Sequence, residues 1–155
     1  MNQNTPAQSA IGASATALYD KGYTWDYITD KMLLDNVSVS GGKILTRGGS
    51  SYQTIVIPKC DKMLLETFER LLALSRKGAT VIVEEALPGD VPGLYKLDER
   101  RARLEKLKAG LEFRKDGDVS VASCGKGRIL LSSDLSAMLD MAGVSRETMY
   151  DLGLQ

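Results

Sequence analysis

"TIVIPKCDKMLLETFERLLALSRKGATVIV", Thr54 to Val83, is the stretch whose reading decides the fold. Its start, taken with the two residues ahead of it (YQTIVI, Tyr52 to Ile57), is a short, apolar, β-branched run with little polar alternation. Such a run suits a strand covered on both faces, as in a parallel sheet. Pro58 has no N–H to donate and ends the ladder. Asp61 stands where a helix N-cap is expected, and Leu64, Leu65, Phe68, Leu71 and Leu72 follow at helical spacing as one apolar stripe. Arg76 and Lys77 place cations in the last turn, Gly78 suits the residue after the helix, and Ala79 to Val83 reads as a second buried strand. Strand, helix and strand joined this tightly predict a βαβ unit with a right-handed crossover.

Downstream, Glu84 to Leu94 (EEALPGDVPGL) holds two Pro-Gly breaks and predicts a long surface loop. Asp98 is the expected cap of a helix that carries Leu97, Leu104, Leu107 and Leu111 on one face. Its other face alternates Glu with Arg and Lys, which reads as a solvated surface rather than a nucleic-acid patch. Val119 to Ser123 and Arg128 to Ser132 flank CGKG, where Gly125 and Gly127 can both take positive φ, and predict a hairpin. Asp134 caps a final helix bearing Leu135, Met138, Leu139 and Ala142, closed by Gly143. Upstream, Tyr27-Ile28 reads as a short strand, and Asp30 as the cap of a brief helix through Leu34. Val37 to Val39 and Lys43 to Leu45 face each other across Ser40-Gly41-Gly42. The expected fold class is α/β: an open, mostly parallel sheet with helices on both faces and hairpins at its margins.

A chain of 155 residues supports one domain with a real core. Met1 to Ser9 reads as a polar, poorly ordered lead-in, and residues 10–155 as a single domain. Hydrophobic residues make up 43% and charged residues 26%, the profile of a globular domain. Twenty basic residues balance twenty acidic ones, which argues against nucleic acid or an anionic membrane as partner. No apolar run approaches the roughly 20 residues that span a bilayer. The start, MNQNTPAQSAIGASA, lacks the pattern of a signal peptide. Cys60 and Cys124 provide neither a disulfide framework nor a structural zinc site. The most informative count is that of histidine, which is zero. That removes the Ser-His-Asp triad, the Cys-His pair and histidine-ligated metals, so catalysis by this chain alone would fall to carboxylates, lysine or a cofactor.

The glycine clusters SGGK, RGGSS and CGKGR lack phosphate-loop spacing and read as turns, so no cofactor is expected. Asp26, Asp30 and the pair Glu84-Glu85 lie near predicted strand ends, where ligands of open α/β sheets bind. A glycosidase needs two carboxyl groups facing each other roughly 5 to 10 Å apart, which neighbours in sequence do not supply. Tyr23, Trp25 and Tyr27 alternate around Asp26 in GYTWDYITD, a pattern fit for sugar stacking or an interface anchor, with core contact the plainer explanation. A helix N-terminus and nearby Lys59 and Lys62 favour a Cys60 thiolate, but no histidine partner or flanking glycine accompanies it, so a structural role is expected. The candidate contact residues are Tyr23, Trp25, Asp26, Lys59, Glu84 and Glu85; no catalytic or metal-binding residue is assigned.

The order of segments from GYTWDYITD through TIVIP and GATVIV to GKGRILL and LSAMLDMAGV resembles the accessory α/β domain of large bacterial glycoside hydrolases, especially the family 106 α-L-rhamnosidases. The resemblance covers about residues 16 to 145. It implies a flavodoxin-like or class I glutamine-amidotransferase-like sheet. It further implies a non-catalytic fragment whose partner is a catalytic (β/α)₈ barrel, with the acid and base carboxylates in that barrel and calcium in some members. The implied parent is secreted or periplasmic, with its signal peptide upstream; the location of this segment stays open. Related domains of family 42 β-galactosidases help hold trimers together. The G-x-C-x-G elbow and His-Glu pair of true amidotransferases are absent. The family domain starts with an apolar strand, whereas Ala10 to Tyr19 is only weakly apolar. An unfilled sheet slot would make edge pairing between copies an expected route to a homo-oligomer. Two other classes compete: a stand-alone small-molecule binding module with its ligand near Asp26, Lys59 and Glu84, and a thiol enzyme using Cys60.

Overall fold

A computed structural model of the chain describes residues 28–144. Tyr23, Trp25, Asp26 and Tyr27 lie outside the described residues, as does the segment Ala10 to Tyr19. Ile28 is not part of a strand. Helix α1 (Asp30–Asp35) is capped by Thr29, whose hydroxyl accepts the Met32 N–H at 3.1 Å. The expected cap, Asp30, lies one residue inside, and its Oδ1 instead accepts the Thr67 hydroxyl at 3.0 Å.

Strands β1 (Val37–Ser40) and β2 (Lys43–Thr46) form the expected hairpin, with Gly41 at φ +59° and Gly42 at +79°, the two positive values that a type I′ turn needs. The short β3 (Ser51–Tyr52) pairs with β2, completing a three-stranded antiparallel sheet. The chain then changes sheets at Gln53, and β4 (Thr54–Ile57) opens a second sheet. YQTIVI is therefore two strands rather than one.

The βαβ unit is present. After β4 come α2 (Leu65–Arg76) and β5 (Thr80–Glu84), which runs parallel to β4 in register from Thr54↔Thr80 to Ile57↔Val83. Asp61 is not the helix cap. Leu64 holds that position with no side-chain bond, while the Asp61 carbonyl accepts the N–H groups of Gly89 and Asp90. The C-terminus ends as expected: the Gly78 N–H reaches the Ser75 carbonyl at 2.9 Å and the Ala79 N–H reaches that of Leu74 at 3.1 Å. This is the Schellman pattern, with Gly78 at φ +126°.

Helix α3 (Leu97–Ala109) follows, then β6 (Phe113–Asp116), β7 (Val119–Cys124), β8 (Gly127–Ser132) and α4 (Leu135–Ala142). The second sheet has the order β4-β5-β8-β7-β6, parallel from β4 to β8 and antiparallel from β8 to β6. Among the described residues the fold is thus mixed α/β with two sheets and four helices. It is not mostly parallel: both pairings of the small sheet and two of the four in the large sheet are antiparallel. The physical reason is the hairpins. Two-residue turns at Gly117-Asp118 and Gly125-Lys126 can return the chain only as an antiparallel neighbour.

Helices do cover both faces of the large sheet, because strand side chains alternate. Ile55, Val81, Val83, Ile129, Ala122 and Cys124 point into a core with Phe68, Leu71 and Leu72 of α2. The intervening Ile82, Leu130 and Val119 point into a second core with Leu135, Met138 and Leu139 of α4. Leu33, Val37 and Ile44 continue the first core under the small sheet. Helix α2 consequently lies between the large sheet and the α1 and α3 helices, which is why Leu74 and Ser75, outside the predicted stripe, are also buried while Leu64 is exposed. Helix α4 has the expected cap, with Asp134 Oδ1 accepting the Ala137 N–H at 3.1 Å, and Gly143 closes it at φ +75°.

The β7–β8 turn rests on the α2–β5 joint. The Lys126 N–H reaches the Arg76 carbonyl at 3.1 Å, and the Arg128 N–H reaches that of Ala79 at 3.3 Å. Gly125 takes a positive φ of +58°, as expected, but Gly127 does not. Gly127 is needed for space: a Cβ there would lie 2.2 Å from the carbonyl oxygens of both Ala79 and Ser75.

Candidate functional site

The C-terminal ends of β4, β5 and β8 bring three of the sequence-derived candidates together. The register Ile57↔Val83, extended by two residues, sets Lys59 opposite Glu85, and the Lys59 Nζ lies 3.3 Å from Glu85 Oε2. Both side chains are more than half exposed, so this ion pair contributes little to stability. Glu84 ends β5 opposite Ser132 of β8. Glu85 has φ +68°, and the Ala86 N–H reaches back to the Glu84 carbonyl at 2.8 Å, which makes Glu85 the centre of a γ-turn. The Glu85 N–H is held by the Ser132 carbonyl at 2.8 Å. The Ser132 hydroxyl donates to the Asp118 carbonyl at 2.7 Å and accepts the Asp134 N–H at 3.0 Å, linking this edge to the start of α4. Chemically, the edge offers one lysine already matched by one glutamate, with a second glutamate adjacent in sequence.

Cys60 follows directly. It is half-buried, and that burial pushes its thiol up; the negative charges of Asp61 and Asp30 raise it further. The environment therefore suppresses the thiolate that nucleophilic chemistry needs, and no histidine exists to compensate. Cys60 should react with iodoacetamide at neutral pH more slowly than a free cysteine, and Cys60→Ser should lower stability by about 1 kcal/mol or less. Alkylation at or above the free-thiol rate contradicts this assignment. Cys124 is buried, its Sγ 3.6 Å from the Leu72 carbonyl.

Two polar clusters have no counterpart among the residues singled out from the sequence. The segment after Glu85 is only partly a surface loop, since Pro88 and Val91 are buried and Lys62 bridges to Asp90 in parallel fashion. Arg101 grips Asp90 with two hydrogen bonds of 2.8 Å. That guanidinium, with the Val91 N–H, holds the Asp90 carboxyl well below the usual carboxylate range. Helix α3 begins at Leu97 after Lys96, a non-glycine at φ +47°, so the expected cap Asp98 lies instead in the first turn, where its charge suits the dipole. Leu104 is fully buried and Leu97 and Leu107 pack against the core, as the helical spacing predicts; Leu111 also packs there but lies past the end of the helix at Ala109.

A shallow groove of about 420 Å³ runs between α1, α2 and α3, lined by Leu34, Leu72, Leu107, Glu69, Arg70 and Arg103 among others. Its charges serve the fold. Arg70 Nε donates to the Leu33 carbonyl at 3.1 Å and another of its nitrogens to the Val37 carbonyl, tying α2 to the end of α1 and to β1. Arg103 lies 3.6 Å from Glu69. No group of three or more metal-binding side chains is assembled among the described residues, nor is any helix there long and apolar enough to cross a membrane.

This scaffold is that of a rhamnosidase-like glycoside hydrolase domain: it is similar to part of the solved rhamnosidase from Novosphingobium sp. PP1Y, with a TM-score of 0.57 and 25% identity. The match covers 81% of this chain and 12% of that one. No curated protein matches the chain. The profile of the glycoside hydrolase family 106, alpha-L-rhamnosidase, matches residues 1–153, and the chain belongs to that family.

Proposed function

We propose that the chain is a non-catalytic accessory domain of an α-L-rhamnosidase-like glycoside hydrolase, supporting a catalytic barrel that contains the two working carboxylates. The observation that carries this reading is the disparity of lengths: the family profile matches residues 1–153, while the structural match, which takes in 81% of this chain, spans only 12% of the solved rhamnosidase. The chemistry of the strand edge agrees. Glycoside hydrolysis needs two carboxyl groups flanking the scissile bond, one held protonated and the other ionised. Glu84 and Glu85 are consecutive residues, which do not face each other across a substrate, and the Glu85 carboxylate is taken up in an ion pair with Lys59. The three parallel strands, with α2 and α4 on opposite faces, support relating the scaffold to flavodoxin-like and class I glutamine-amidotransferase-like sheets. Without the amidotransferase elbow or any histidine, such a sheet would act through its surface, by holding and orienting the barrel. The test is direct: purified chain of these 155 residues is incubated with 4-nitrophenyl α-L-rhamnoside. No release of nitrophenol above the uncatalysed rate is expected.

A further inference from the structure

We draw no further inference here: the strongest candidate, the apolar edge strand β4 (Thr54–Ile57) at one end of the five-stranded sheet, carries nothing because no feature among the described residues shows what covers its outer side.

Discussion

Gly127→Ala should abolish stable folding. The added Cβ would lie 2.2 Å from two backbone carbonyl oxygens, those of Ala79 and Ser75, and 2.9 Å from the Gly78 carbonyl carbon. Flexible side chains can swing away from an intruding methyl, but these atoms belong to the end of α2 and the start of β5. Moving them breaks the Schellman closure, in which Gly78 and Ala79 bond to Ser75 and Leu74, or the bond from the Arg128 N–H to Ala79. Overpacking of an ordinary core costs about 1 to 3 kcal/mol, and two rigid backbone clashes should exceed that range. Against a typical total of roughly 5 to 15 kcal/mol, most of the native population is lost. Urea unfolding followed by circular dichroism reads the effect. Gly48→Ala is the control, because its Cβ would meet nothing and its φ is not positive; it should be neutral or slightly stabilising. Equal stability of the two variants would show that the turn does not dock on the joint as described.

The second large effect is expected from Leu72→Ala. Leu72 lies on α2 at 1% exposure, inside the core that joins the large sheet to the small one. Removing its isobutyl group forfeits burial and leaves a void in the core beneath the sheets. A loss of about 2 to 5 kcal/mol follows, toward the upper end where relaxation is blocked. Leu64→Ala, at the cap position just before that helix, is the contrast, since Leu64 is exposed and should lose well under half as much. Comparable losses at the two positions would contradict the assignment of the buried face.

Why these positions matter was only partly readable from the chain. The βαβ unit was legible because its signals are local: a β-branched run, a proline, a leucine stripe and a glycine stop. Its parallel register even explains why Lys59 and Glu85, named separately as candidates, meet. What depended on distant partners was not legible. Asp61 looks like a cap, but its carbonyl is taken by Gly89 and Asp90, and the helix starts later without a side-chain cap. YQTIVI reads as one strand because nothing in its composition marks Gln53 as the crossing between sheets. The role of Gly127 is steric rather than conformational, and steric crowding comes from residues some fifty positions earlier, at Ser75 and Ala79. Strand β6 had a usable signal, the Gly117-Asp118 turn, in a segment whose charges disguise it. In the candidate site, Lys59, Glu84 and Glu85 converge at one strand edge, Tyr23, Trp25 and Asp26 lie outside the described residues, and the Asp90–Arg101 pair carried no sequence pattern at all.

The role proposed for this member of the α-L-rhamnosidase family is that of a scaffold rather than a catalyst. The most direct test is turnover of 4-nitrophenyl α-L-rhamnoside by the purified 155-residue chain, with Glu84→Gln and Glu85→Gln variants assayed in parallel. No nitrophenol above the uncatalysed background is expected from any of the three. Hydrolysis by the parent chain that disappears in either variant would contradict it.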